Sequence, residues 1–197
     1  NNLGTSEEAS ANPGKDGSKT ITSANTIVNE YTYLTNDVSS GATQIKCNSN
    51  TINANSRFSS NLAAGDLLLI IQMQGATITT SDNSSYGAVS AYNNCGLYEF
   101  AKVSSIGTSG RINLANGLRN SYTSAGKVQV VRVPRYTTLT INSGKSITCP
   151  DWDGTTGGIV AVEASQDVVI NGSITVTGKG FRGGALEQGS NLPGSAS

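Results

Sequence analysis

The sequence contains no histidine. That absence removes the Ser-His-Asp triad, the Cys-His dyad, the HExxH zinc site and any imidazole general base. Acid–base chemistry would fall to carboxylates, lysine, tyrosine or a carboxylate-bound metal. Charge is scarce as well: 13% of the 197 residues are Asp, Glu, Lys or Arg, about half the usual share of roughly 25%. Thirteen basic residues balance thirteen acidic ones, so no net field draws the chain to nucleic acid or to an anionic membrane surface. The longest apolar run, Leu67 to Ile71, falls far short of the about 20 residues that cross a bilayer as a helix, and membrane insertion is not expected. No signal-peptide pattern is visible; the polar start at Asn1 is what a cleaved export signal would leave.

Cysteine is sparse. Cys47, Cys95 and Cys149 lie far apart with no CxxC spacing, which argues against a thiolate zinc site. In a chain rich in Asn, Ser and Thr and poor in Lys, an extracellular location is expected, where one disulfide could form among the three cysteines and leave one thiol over. Any pair satisfies the spacing.

What fills the gap left by charge is Ser, Thr, Asn and 23 glycines, a composition that excludes a coiled coil or helical bundle. Residues 1–20 carry almost nothing apolar and read as an extended N-terminal arm. Over 21–134, short apolar runs alternate with Gly/Asn/Ser turns. ATQIKCNS, AGDLLLIIQMQG, LYEFAKVSSI, GRINLANGL and GKVQVVRVP read as strands. Val128, Val130 and Arg132 fall on one face of the last of these and Gln129, Val131 and Val133 on the other, until Pro134 stops the ladder. No window carries a helical i, i+3, i+4, i+7 stripe. The turn spacing predicts a small β-barrel or sandwich-like head.

After Pro134 the pattern changes. LTINSGKSITC at 139–149 is echoed by VVINGSITV at 168–176. Ile141 and Ile170 stand about 29 residues apart, the length of one solenoid coil. Residues 135–184 therefore read as the first coils of a parallel β-solenoid, with Ile141 stacked near Ile170 and Ile147 near Ile174. GGIVAVEAS between them supplies a further strand. Two coils are fewer than the roughly three needed to bury a stable core, and residues 185–197 form a Gly/Ser-rich tail with no polar cap. An open solenoid end exposes strand edges. The expectation is a front piece of a longer polypeptide or, failing that, a subunit that joins neighbours by strand addition.

The segments PGKDGSKTITSANTIVNEYT, AGDLLLIIQMQGATI, LYEFAKVSSI, GKVQVVRVPRYTTLTINSG, CPDWDGTTGGIVAVEAS and GKGFRGG occur in that order. Together, over about residues 13–184, they resemble the N-terminal region of large gliding-motility surface adhesins exported by type IX secretion. The PxWDGxxGGIVAxxA run followed by GxGFRGG is the most specific part of the match. The resemblance implies a secreted, non-catalytic tip domain at the cell surface that attaches to polysaccharide or to surfaces during gliding. It brings no enzymatic residues with it. The AGDLLLI, YEFAKV, RINLANGL and GKVQVV series is also similar to small β-barrels that precede β-helices in phage tail proteins and polysaccharide lyases. That likeness implies an N-terminal cap of a β-helix polysaccharide-active enzyme.

Two places carry candidate chemistry. The polar insert 81–95 bears Tyr86 and Tyr92, with Tyr98 just beyond. Tyrosine supplies rigid amphipathic contact area at low entropic cost, which suits ligand recognition; the plainer roles are that Tyr98, beside Glu99-Phe100 in a strand, is core and that the others cap the barrel. The other is Asp151-Trp152-Asp153-Gly154. There Asp151 and Asp153 could hold Ca²⁺ through oxygen ligands and Trp152 could stack on a sugar; the plainer role is a turn closed by Asp side chains with Trp152 filling the barrel–solenoid junction. Glu163 with Asp167, or Asp151 with Asp153, could satisfy the spacing of a glycosidase pair by proximity alone. Arg132, Arg135, Lys145 and Arg182 are the available cationic bases, with nothing in the sequence to arrange them.

Overall fold

The computed structural model describes residues 12–181. Its regular elements are β1 (Lys19–Ile21), β2 (Thr26–Ile27), β3 (Glu30–Tyr33), β4 (Gln44–Lys46), β5 (Leu67–Gln72), β6 (Thr77–Ile78), β7 (Val89–Ala91) and β8 (Tyr98–Ile106). They continue through β9 (Arg111–Leu114), β10 (Val128–Val133), β11 (Arg135–Tyr136), β12 (Leu139–Ile141), β13 (Ser146–Thr148), β14 (Glu163–Ala164), β15 (Val168–Ile170) and β16 (Ser173–Ile174). A single 3-10 turn, Ser124–Gly126, interrupts them. The fold class is all-β, as composition and turn spacing imply.

Six strands form an antiparallel sheet in the order β3-β10-β5-β8-β9-β4. A register shift between Val103 and Ser105 on β8 sharpens the local twist, and the sheet curls until its outer strands meet. The Thr35 N–H donates to the Lys46 carbonyl and the Asn48 N–H to the Tyr33 carbonyl, both at 3.0 Å. Alternate side chains point inward, so Leu34, Ile45, Leu68, Ile70, Val103, Ile112, Val128 and Val130 fill the enclosed core. The opposite face of β5 and β10 is also buried, because Leu67, Leu69, Val131 and Val133 are covered by Ile159 and Ala161. That double burial explains why both strands read as nearly unbroken apolar runs rather than as clean alternation.

Among the described residues the solenoid is three rungs deep. β1, β12 and β15 pair in parallel, and so do β2, β13 and β16. Ile21, Ile141 and Ile170 form one column, and Ile147 lies against Ile174, the stacking expected for the second and third rungs. A third face joins β11 to β14, with Arg135 opposite Glu163. Between rungs the backbones come close at Gly172, where a Cβ would sit 2.1 Å from the Lys145 carbonyl oxygen; only glycine fits there.

The first rung departs from the sequence reading. Lys19–Ile27, which in sequence spans the boundary between arm and head, forms the rung that covers Leu139, Ile141 and Ile147. The barrel strands, from Glu30 to Val133, are thus inserted between the first and second coils. Two recognisable repeats are supplemented by a third that lies more than a hundred residues upstream, which meets the requirement for about three stacked units. Most of the expected arm (residues 1–11 of 1–20) and the tail 185–197 lie outside the described residues.

The two bodies are clamped together. The Tyr31 hydroxyl donates to the Ile159 carbonyl at 2.7 Å. Gln129 exchanges both amide bonds with the Gly157 backbone, and Asn29 does the same with Ala161. Along 159–162 the side chains alternate: Ile159 and Ala161 press on the barrel wall, while Val160 and Val162 enter the solenoid core.

Candidate functional site

On β8 the residues Ala101 and Val103 point into the barrel. Alternation then sends Tyr98, Phe100 and Lys102 outward. Tyr98 is 50% exposed and Phe100 46%, opposite Ile71 and Leu69 of β5. The segment 157–161 covers the wall over β5 and β10 but leaves these two rings uncovered. Lys102, at the far end of the row, is half-buried and already engaged in an interaction. Glu99, between the rings, turns the other way. Its carboxylate accepts the Arg119 and Asn120 N–H groups at 2.9 and 3.0 Å and the Tyr122 hydroxyl at 3.0 Å.

The expected recognition loop rises next to this row. β6 and β7 pair as a short hairpin, and Tyr86 and Tyr92 each stand 71% exposed. The base of the loop is fixed by one buried side chain. Gln72 donates to the Gln74 and Asn93 carbonyls, both at 2.9 Å, and accepts the Thr123 N–H at 2.9 Å. Asn93 and Asn94 adopt positive φ, and the Asn93 amide donates to Gly75 O and Thr77 Oγ1. The structure therefore places Tyr86 and Tyr92 in solvent on a loop with an ordered root. Tyr98, read in its plainer role as core, belongs instead to the exposed set along with Phe100. The YEFAKV alternation contained that information, but which face a second body covers is invisible in sequence.

In the Asp151–Gly154 cluster the tryptophan is buried and both carboxylates have partners within the fold. Trp152 is 5% exposed and packs edge-on against Phe181 at 5.2 Å; its face is not presented to a sugar. Asp153 accepts the Thr155 and Thr156 N–H groups at 2.7 and 2.8 Å and the Thr156 hydroxyl. Burial alone would raise the Asp153 carboxyl, but these donors hold it below the usual carboxylate range. Asp151 accepts the Lys179 ammonium at 2.6 Å, from a residue 28 positions on in the next rung. Asp153 thus closes a turn and Asp151 bridges two rungs; among the described residues no three acidic, Cys or His side chains gather where they could hold a metal ion.

The disulfide expectation is corrected: all three cysteines are free thiols. Cys47 lies in the barrel core, Cys95 at the loop root, donating to the Met73 carbonyl, and Cys149 is buried one residue past β13. They belong to three separate parts of the fold. Burial pushes the Cys47 thiol up to about 12, so it stays protonated and inert.

Of the charged residues considered as catalytic groups, Arg132, Arg135 and Glu163 are engaged in the frame, and Arg182 lies outside the described residues. Arg132 is buried, pairs with Asp66 at 2.8 Å and lies 3.9 Å over the Phe58 ring; Lys15 reaches the same carboxylate. Arg135 forms a forked pair with Glu163 across adjacent rungs. Glu30 accepts from Asn55 and Arg57.

No protein-family model and no curated protein matches the chain. Among solved structures it is similar to the tailspike gp61 of Pseudomonas phage phi297, at 12% identity over 75% of this chain and 20% of that one, with a TM-score of 0.34. It is similar to the tailspike gp49 of Pseudomonas phage LKA1, at 15% identity over 70% and 27%, TM-score 0.32. A third is the Gp54 tailspike of Acinetobacter baumannii bacteriophage AP22, solved in complex with A. baumannii capsular saccharide, at 11% identity over 81% and 28%, TM-score 0.37. The chain spans between a fifth and just over a quarter of the length of these tailspikes.

Proposed function

We propose that this chain is a non-catalytic attachment module of an extracellular bacterial surface protein, of the gliding-adhesin kind its sequence resembles, and that it binds polysaccharide. The observation that carries the reading is the aromatic surface of one barrel wall: Tyr98 and Phe100 uncovered on β8, with Tyr86 and Tyr92 projecting from the adjoining loop. Large exposed aromatics on a rigid scaffold are anchors for a ligand rather than an ordinary solvent face. The rest of the surface is rich in hydroxyls and amides, suited to weak contacts multiplied over many copies. The carboxylates that lie beside cations, Glu30, Asp66, Asp151 and Glu163, are held in ion pairs of the frame, which supports binding over bond cleavage.

Replacing residues 81–95 by a short Gly/Ser turn, and separately making Tyr86→Ala with Tyr92→Ala, tests the reading. Adhesion of coated beads to polysaccharide films should fall at least about tenfold for either change, with the melting temperature of the tyrosine variant unchanged. Unaltered adhesion removes the loop from the proposal.

A second reading, a subunit that joins neighbours by strand addition, is favoured by the third rung. Its outer edge is unpaired among the described residues, and Val168 and Ile170 are about half exposed on it. Concentration-dependent sedimentation abolished by Ile170→Asp would support it; a monomer at all concentrations would exclude it.

A further inference from the structure

Resting on the polysaccharide-binding reading, we infer that the ligand of the β8 wall is an uncharged glycan chain. Its sugars would stack along the Tyr98–Phe100 row. No lysine or arginine occurs between Arg57 and Lys102, so the strand facing the row and the whole recognition loop lack cations. Three acidic residues do fall in that stretch. Asp66 is held by Arg132 and Lys15, and Glu99 faces away to hold the 119–122 turn; Asp82, on the loop, is exposed. An anionic polymer laid on this wall would meet an acidic side chain and no matching charge, and electrostatic complementarity disfavours it.

The cations from neighbouring elements are few. Lys102 ends the row but is half-buried and engaged. Arg119 and Lys127 are exposed beside the loop root, where the Arg119 N–H is tied to Glu99 and the Lys127 carbonyl accepts the Met73 N–H. Neither belongs to β8 or to the 73–98 segment. What the wall offers is aromatic area and neutral polar groups: two rings on one strand face, roughly 7 Å apart along the strand, bordered by a loop of Ser, Thr, Asn and Tyr. Stacking and hydroxyl–amide hydrogen bonds recognise a neutral sugar without charge pairing.

The test is affinity electrophoresis of the 197-residue chain in gels containing a neutral polymer (dextran, laminarin or hydroxyethyl cellulose) or an acidic one (alginate or polygalacturonate), at about 20 and 500 mM NaCl. Retardation by at least one neutral polymer is expected, equal at both salt concentrations, because no counterions are displaced. Tyr98→Ala and Phe100→Ala should each weaken it about two- to tenfold. Arg119→Ala and Lys127→Ala should leave it unchanged. Both rings are exposed, so an unchanged melting temperature certifies the fold of those variants. Retardation by acidic polymers only, fading at high salt or lost on removing Arg119 or Lys127, overturns the neutral-glycan inference while leaving polysaccharide binding intact. Retardation by none of the five overturns the binding reading itself.

Discussion

At the scale of single residues, the side chains with most consequence are those that hold other parts in place. Gln72 is the clearest. Its amide makes three hydrogen bonds to backbone groups at the loop root and beside the 3-10 turn. Gln72→Ala would remove the partner of these part-buried backbone groups, at a cost of about 1 kcal/mol or a little more in stability. Amide exchange over 73–98 should accelerate selectively; exchange that stays protected would show that the hairpin holds itself. Titration gives a second expectation at this scale. Burial raises the Cys47 thiol from its ordinary 9.0 to about 12, and burial likewise raises Tyr31, Tyr122 and Tyr136 above the usual phenol range. Above about pH 9 the unfolded chain loses its thiol proton while the folded chain keeps it. The unfolded state then binds fewer protons and stability falls as pH rises. With no histidine to titrate, the denaturation midpoint should be nearly flat from about pH 6 to 8.5 and drop steadily toward pH 11. Cys47→Val should flatten the onset of that drop; a midpoint rising above pH 9 would contradict the sign. None of this was legible beforehand. The sequence shows three lone cysteines, and only the barrel reveals that one of them is sealed inside.

At the scale of elements, the rungs show what a repeat can and cannot disclose. The INSGKSI and INGSI echoes set Ile141 on Ile170 and Ile147 on Ile174, and the structure has both pairs in register. The KTITSANTIV segment carries a comparable isoleucine–turn–isoleucine pattern at Ile21 and Ile27. The inserted barrel separates it from its partners and its surroundings are polar, so the repeat is masked in the sequence. Position in the stack, rather than residue type, sets the energetic weight of each isoleucine. Ile141 is fully buried between two rungs, whereas Ile170 is half exposed on the last. Ile141→Ala should cost about 2–5 kcal/mol and Ile170→Ala well under half as much. Equal losses in urea denaturation would mean that the third rung is covered. The same positional logic separates the aromatics: Trp152 is buried with its ring edge-on to Phe181, while Tyr98 and Phe100 remain outside because the covering segment stops at β5 and β10.

At the scale of the whole molecule, barrel and solenoid share so much that they should unfold together. The segment 157–161 belongs to the solenoid by chain position, yet Ile159 and Ala161 complete the outer core of the barrel. Asn29, Tyr31 and Gln129, all on the barrel side, satisfy the backbone of that segment. Arg135 of the second rung donates to the Gly65 carbonyl, and Lys15, just before the first rung, reaches Asp66 in the barrel. Losing either body strands buried polar groups of the other, a penalty that makes a half-folded molecule unfavourable. Two local reporters can test the coupling. Trp152, the single tryptophan, senses the solenoid, and the thiol of Cys47 becomes reactive only when the barrel opens. Their urea transitions should coincide within error, as for one cooperative unit. Deleting residues 12–28 with everything before them should lower both midpoints together, since it exposes Ile141 and Ile147 and releases Asp66. If the tryptophan transition moved to lower urea while the thiol transition stayed in place, the barrel would be an independent domain carried by the solenoid, and the clamp at 157–161 would contribute little to stability.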